Sequence, residues 1–195
     1  MSYCTVAEVK TYAGVTGSGD DTLIDALITR AQKAIETYTH RLFEASADST
    51  RKFTVGKDTT GRALFFDEDN CALTTVTTDA DRVGGGDAIP AAQYATMPRN
   101  RTPYYGLEIL SSSAYDWEYT SNPENGITVA GRWAWSTTPP ADIAHACIRL
   151  AAFFYRQKDA QVFDVTAIPD AGVITIPQGL PADVKLILEP YVKRV

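Results

Sequence analysis

The stretch ITVAGRWAWSTTPPADIAHACIRLAAFFYRQKD, residues 127–159, joins two different hydrophobic patterns. Up to Trp135, large apolar residues alternate with small or polar ones, as they do in a strand that is buried on one face. After Pro139 and Pro140, apolar residues recur three or four positions apart, which is the spacing of an amphipathic helix. Proline is tolerated in the first turn of a helix because the N–H group that it lacks has no partner there. The stretch therefore predicts a strand that leads into a helix.

Three further helices are predicted on either side of this junction. Thr5 and Glu8 have the spacing of a capping box, and Gly14 is suited to end the helix that follows them. A longer pattern begins after Asp20, and a last short one follows Pro181. The four predicted helices lie near residues 5–13, 21–40, 139–158 and 181–190. The second has a broad apolar stripe, which consists of Leu23, Ile24, Leu27, Ile28, Ala31, Ala34, Ile35 and Tyr38.

The segment between the second and third helices has the pattern of antiparallel strands. Short runs rich in threonine and aromatic residues alternate with Gly, Asn, Asp and Pro. The strands are predicted at 51–55, 63–66, 73–78, 107–110, 116–119 and 127–135. A solvated turn is predicted at 67–70, a hairpin loop at 122–126, and a further strand pair around 162–165 and 173–176.

Together these elements predict an α+β fold with a mostly helical core and an inserted antiparallel β region. We expect neither helical part to be stable alone, so the two should pack together. The predicted organisation is a single domain over 1–195, with a helical part at 1–45 plus 138–195 and a β-rich insertion at about 50–136.

The composition excludes several classes of protein. A net charge of −6 argues against a protein that grips nucleic acid, although an acidic surface would let DNA pass without sticking. The three cysteines are widely spaced and include no CxxC pair, so neither a disulfide framework nor a zinc ribbon is predicted. No apolar run approaches the ~20 residues of a membrane span, and the N-terminus does not resemble a signal peptide. We expect a reduced, intracellular product.

His145 and Cys147 are the residue types of metal sites and nucleophilic catalysis, but their spacing separates them. Residues two apart on a helix point about 200° away from each other. Cys147 falls on the apolar stripe, whereas His145 falls on the opposite side with Asp142, Arg149 and Arg156. The chain has only two histidines and no HExxH or GxSxG motif. We therefore predict no enzymatic activity, no metal and no cofactor.

The aromatic residues of the β region leave two interpretations open. They could form the core and the contacts between subunits, which is the commoner role of such residues and the one we favour. Alternatively, they could form a surface that binds a glycan or nucleic acid. The residues concerned are Tyr104, Tyr105, Tyr115, Trp117, Tyr119, Trp133 and Trp135.

The order of the segments resembles the head–tail connector (adaptor) proteins of tailed bacteriophages. The segments that carry the resemblance span most of the chain. In order, they are TVAEVKTYAGV, DDTLIDALITRAQKAIETYTHRLF, YATMPRNRTPY, ITVAGRWAW, PPADIAHACIRLAAFFYRQKD and GLPADVKLILEPYVKR. The sequence departs from the family at His40, where a small residue is frequent, and in its long, loop-rich β region.

The resemblance implies a structural subunit of the virion that forms a dodecameric ring below the portal. Such a ring binds the portal protein on one side and the next neck or tail protein on the other. It is assembled in the host cytoplasm and needs no cofactor or membrane. Double-stranded DNA passes through the channel without specific binding, during packaging and ejection. The candidate interface residues are Arg41, His145, Arg149, Arg156, Tyr191, Lys193 and Arg194, and the helical faces at 21–40 and 139–158 are candidates for packing between subunits.

Overall fold

The computed structural model describes residues 2–160, 165–168, 172–175 and 179–193 of the chain. The helices are α1 Val6–Ala13, α2 Asp21–Thr39, α3 Ala141–Ala160 and α4 Ala182–Leu188. The strands are β1 Ser49–Phe53, β2 Thr59–Thr60, β3 Ala63–Asn70, β4 Ala72–Thr78, β5 Asp87–Ala88, β6 Tyr94–Met97, β7 Tyr104–Ile109, β8 Ile127–Arg132, β9 Val165–Ile168 and β10 Gly172–Thr175. The chain divides into a helical unit, Met1–Arg41 with Pro139–Val195, and a β unit, Leu42–Thr138.

The helical unit is organised around α3, which packs against α1, α2 and α4. The predicted capping box is present at α1: the Thr5 side chain accepts from the Glu8 N–H, and the Glu8 carboxylate accepts from the Thr5 N–H at 2.7 Å. Gly14 ends α1 in the left-handed conformation, with φ of 72°. The four predicted helices are confirmed, with small differences at their ends. Their fully buried side chains include Val9, Ile24, Ile28, Ile35, Ile143, Leu150 and Leu188.

The β unit contains two four-stranded antiparallel sheets. One has the strand order β1-β8-β4-β5, and the other has the order β2-β3-β7-β6. Residues of both sheets share one hydrophobic cluster, so the sheets face each other across it. The cluster consists of Phe53, Leu64, Phe66, Val76, Ile89, Leu107, Ile109, Trp117, Ile127, Val129 and Trp133.

Strand β8 lies in the interior of its sheet and shows the predicted alternation. Ile127, Val129 and Gly131 are buried, and the residues between them are less so. Trp133 continues the buried series beyond the end of the strand, and its indole Nε1 donates to the Ser49 carbonyl at 2.9 Å. Because its apolar part is covered and its one donor is satisfied, this tryptophan can be buried at little cost.

The prediction of a mostly helical core is wrong, because the β unit is about half of the chain and has a hydrophobic core of its own. The sequence pattern underestimated the strands. Residues 67–70, predicted as a solvated turn, continue β3, where Arg51 pairs with Asp67 at 3.2 Å and Glu68 at 2.6 Å. Strand β6 was not predicted at all.

One predicted strand is absent: residues 116–119 form no ladder with a neighbouring strand. The Glu118 N–H donates to the Thr78 hydroxyl at 2.7 Å, and the Trp117 side chain donates to the Arg62 carbonyl at 3.0 Å. Side-chain partners thus replace part of the regular backbone pairing. Trp117 itself is buried in the shared cluster, which explains its apolar, strand-like pattern.

The hairpin β9–β10 corresponds to the strand pair predicted around 162–165 and 173–176. Residues 162–164 and 176 of that prediction lie outside the described residues. No helix in the described part of the chain is long and apolar enough to cross a membrane. The single-domain organisation over 1–195 stays a prediction.

Candidate assembly surface

The predicted polar face of α3 is present in the structure. Asp142, His145, Arg149 and Arg156 follow one another at spacings that keep them on one side of a helix. Cys147 is completely buried on the other side, as predicted, whereas His145 is exposed. The His145 ring lies edge-on to the ring of Tyr12 in α1, with 6.1 Å between the centroids.

Two of the predicted residues, Arg149 and Arg156, line a single groove between α1, α3 and the start of α4. The groove has a volume of about 190 Å³, and its other lining residues are Tyr12, Ala152, Phe153, Pro181, Asp183 and Val184. Within it Arg149 forms an ion pair with Asp183. The side chain of Arg156 is exposed. The groove therefore places the guanidinium group of Arg156 in the same lining as the aromatic rings of Tyr12 and Phe153, and arginine and aromatic residues are both enriched in protein interfaces.

Tyr191 joins this face through the first turn of α3. Its hydroxyl donates to the Asp142 carboxylate at 3.3 Å, and burial and the nearby carboxylate raise the pKa of the tyrosine. Tyr191 is named from the sequence only as a candidate interface residue. In the structure it is half-buried and ends a 3₁₀ turn, Glu189–Tyr191, that directly follows α4.

Arg41 and Lys193 lie elsewhere in the helical unit, near the C-terminal end of α2. Arg41 comes just after the helix and is half-buried. The Lys193 N–H donates to the Thr39 carbonyl at 2.9 Å, which satisfies one of the carbonyls left open at a helix end. Arg194 lies outside the described residues. Of the six predicted residues that the structure describes, His145, Arg149, Arg156 and Tyr191 share the α3 face, whereas Arg41 and Lys193 lie near the end of α2.

A second groove runs along α2, whose face at 21–40 is a predicted candidate for packing between subunits; the groove itself was not predicted. It has a volume of about 720 Å³ and is lined by Ala26, Thr29, Arg30, Lys33, Ala34, Thr37, Tyr38 and Leu180. The breadth of the apolar stripe in α2 was the available signal. The core uses Ile24, Ile28 and Ile35, while Leu23 stays 37% exposed. Because the apolar stripe is wider than the part that the core covers, some apolar surface remains on the outside of the helix.

The aromatic residues of the β unit are mainly core residues. Trp117 and Trp133 are 7% and 4% exposed, and Tyr104 and Tyr115 pack against the same cluster. Tyr105 and Tyr119 are about half exposed. Among the described residues, no group of three or more His, Cys, Asp or Glu side chains could hold a metal ion.

The first part of the chain is similar to a known family. Residues 3–59, which include α1, α2 and β1, match the family model of phage gp6-like head-tail connector proteins. Curated protein sequences give no match.

Solved structures share the fold of almost the whole chain. One chain from the structure of the neck of an empty gene transfer agent (GTA) particle, computed with C6 symmetry, matches with a TM-score of 0.58 and 20% identity. The match covers 97% of this chain and 90% of that chain. The neck of the native GTA particle, computed with C12 symmetry, matches with a TM-score of 0.56 and 18% identity, over 97% and 89%. A chain of the native GTA virion matches with a TM-score of 0.54 and 18% identity, over 97% and 90%.

The predicted resemblance is therefore confirmed: residues 3–59 match the sequence pattern of phage gp6-like head-tail connector proteins, and the chain shares its fold with a chain in the structure of the GTA neck.

Proposed function

We propose that this protein is a structural, non-enzymatic head–tail connector that oligomerises into a ring below the portal. The ring is dodecameric, joins the DNA-filled head to the next neck or tail protein, and lets double-stranded DNA pass through its channel. The observation that carries the proposal is that one chain combines the connector family's N-terminal pattern with a neck-protein fold over 97% of its length.

The symmetry of the similar structures supports the ring. One neck was computed with C12 symmetry and another with C6 symmetry, and both symmetries require repeated copies around an axis. A closed ring needs two different surfaces on each subunit, because each copy contacts its neighbours head to tail. The helical unit offers two grooves that suit this requirement, one beside α3 and one along α2.

We assign the α3 groove to one side of the subunit contact, with Arg156 as its exposed cation. The groove along α2, which Lys33 and Tyr38 line, is the candidate for the opposite side. The net charge of −6 favours a channel wall that repels DNA phosphates and permits sliding. The protein is thus proposed to act through its position in the neck of the virion rather than through chemistry.

The oligomeric state of the purified protein tests the proposal. Mass photometry over a range of concentrations, with negative-stain electron microscopy of the same samples, should show annular particles whose fraction grows with concentration. Addition of the cognate portal protein should increase that fraction. A monomer that persists at every concentration and ignores the portal would show that the proposal is wrong.

A charge reversal tests the assigned surface. Arg156→Glu should abolish the annular particles while leaving the midpoint of thermal unfolding within about 2 °C of wild type, because exposed charges contribute little to stability. Lys57→Glu is the matched control: it makes the same charge change at an exposed position of the β unit and should leave the rings intact. Rings that survive Arg156→Glu would remove the α3 groove from the interface.

A further inference from the structure

Two cysteines that lie 143 positions apart in the sequence meet inside the helical unit. Cys4 comes just before the N-cap of α1, and Cys147 lies in the second turn of α3. Their sulfur atoms are 3.4 Å apart, with the Cys4 S–H donating to the Cys147 sulfur. The residues are only 4% and 0% exposed. Cys71, the third cysteine, belongs to the β unit.

We propose that Cys4 and Cys147 are a covalent modification site, at which a hydroperoxide converts the thiol pair into a disulfide that ties the start of the chain to α3. A disulfide bond is about 2.05 Å long, so the sulfurs must approach by about 1.4 Å. Both side chains can move towards each other by rotation about their χ1 bonds, so each sulfur covers only part of this distance. The proposal goes beyond the connector function and does not depend on it.

The chemistry takes two steps and consumes one peroxide. The sulfur of one cysteine attacks the peroxide and breaks the O–O bond, which yields a sulfenic acid and one molecule of water or alcohol. The sulfur of the second cysteine then attacks the sulfenic sulfur. The S–O bond breaks, the S–S bond forms, and the hydroxyl leaves as water with the second thiol proton. Two thiols are thereby oxidised and one hydroperoxide is reduced.

The surroundings of the cysteine pair make its oxidation slow. The hydrogen bond with Cys4 and burial raise the pKa of Cys147, so this residue is held as a thiol at neutral pH, and thiols react more slowly than thiolates. Access requires the segment before α1 to open, and that segment is held by a hydrogen bond of 3.0 Å from the Tyr3 hydroxyl to Glu36. The two cysteines should therefore stay reduced in a reducing compartment and form the disulfide when the protein enters an oxidising one.

The position of the pair gives the disulfide a large mechanical effect. The helical unit consists of two chain segments separated by the whole β unit, and the new bond would join these segments covalently. Because it would close a loop that contains the β unit, it should strongly restrict the unfolded chain. The oxidised protein should consequently be more resistant to unfolding than the reduced one.

The test uses the full chain with Cys71→Ser, so that only the pair remains. After treatment with hydrogen peroxide, the number of thiols that react with Ellman's reagent in denaturant should fall from two to none. Peptide mass spectrometry should find Cys4 linked to Cys147, with the loss of two hydrogens. Non-reducing electrophoresis should show a faster monomer band, and the midpoint of thermal unfolding should rise by roughly 5–10 °C.

Two further measurements keep the test decisive. Dithiothreitol should reverse both the mobility change and the rise in midpoint, which separates a disulfide from irreversible sulfinic acid. The double variant Cys71→Ser/Cys147→Ala should show neither change after the same treatment. The proposal is overturned if both thiols remain free, if they are lost as sulfinic acid, or if the product is a cross-linked dimer.

Discussion

At the scale of single residues, His40 ends α2 in a conformation that suits glycine better. Its φ of 54° and ψ of 35° lie in the left-handed region, which is unfavourable for residues with a β-carbon. This geometry explains in physical terms why a small residue is suited to the position. His40→Gly should therefore stabilise the protein by about 0.5–1 kcal/mol, after allowance for the greater freedom of glycine in the unfolded chain. Urea unfolding would measure the difference.

A glycine substitution elsewhere in α2 is the control for His40→Gly. Ala26 is exposed inside the helix, and Ala26→Gly should destabilise the protein by about 1 kcal/mol. The two glycine substitutions should thus have opposite signs. A destabilised His40→Gly protein would mean that the imidazole makes a contribution that outweighs the backbone strain.

Asp81 provides a prediction about acid stability. Its carboxylate accepts from the N–H groups of Thr120, Ser121 and Asn122 at 2.9, 2.7 and 2.6 Å, and these hydrogen bonds lower its pKa to about 2. The folded pKa lies below the unfolded value of about 3.9, so the stabilisation is complete above about pH 5 and disappears as the pH falls towards 2.

The substitution Asp81→Asn should remove this pH dependence. The free energy of unfolding of the variant should fall less steeply between about pH 4 and pH 2 than that of the wild type. Asp25→Asn, which removes a carboxylate from an exposed position of α2, should keep the wild-type slope. Equal slopes for all three proteins would contradict the role assigned to Asp81.

At the scale of elements, the helices could be predicted much better than the strands. A helix is specified by local signals. The capping box at Thr5 marks the start of α1 in the sequence itself, and the prolines before Ala141 mark the start of α3. Strand β6 depends on its partner β7, which the local pattern does not contain. The acidic end of β3 was mistaken for a turn because Arg51, which neutralises it, lies on another strand.

The interior strand β8 shows what a local pattern cannot reveal. A β-carbon on Gly131 would lie 2.3 Å from the Ala72 carbonyl oxygen and 2.9 Å from the Asn70 amide nitrogen, so the neighbouring strands leave no room for one. We expect Gly131→Ala to destabilise the protein by about 1–3 kcal/mol, since the backbone must shift to relieve the overlap.

Gly19→Ala is the matched control for this substitution. Gly19 has no heavy atom within 4 Å of a built β-carbon and has no positive φ. The same chemical change should there be neutral or stabilising by up to about 1 kcal/mol. Thermal unfolding of the two variants should differ accordingly. Equal midpoints would mean that the sheet yields at Gly131 without cost.

At the scale of the whole molecule, contacts distant in sequence were the part that could not be predicted. Helical geometry correctly separated His145 from Cys147, but it could not show that Cys147 meets Cys4. The same limit applies to the assembly surface. The α3 face was readable as a polar stripe, whereas its groove exists only because Tyr12 and Asp183 are brought to it from other segments. Periodicity gives the faces of an element, and only the tertiary fold gives their neighbours.

The predicted single domain has a thermodynamic consequence that two spectroscopic probes can test. The helical unit is built from segments separated by residues 42–138, and the ends of this insertion are joined by the hydrogen bond from the Trp135 N–H to the Leu42 carbonyl. If the β unit unfolds, closing the resulting loop of about 100 residues costs about 4–5 kcal/mol, and the helical unit loses that stability.

All three tryptophans lie in the β unit, while the four α-helices lie in the helical unit. Tryptophan fluorescence and circular dichroism at 222 nm should therefore report one shared unfolding transition. Leu107→Ala, which removes about 2–5 kcal/mol from the β core, should lower both midpoints equally, whereas Lys57→Ala at an exposed position should move neither. A helical signal that ignores Leu107→Ala would show that the two units unfold independently.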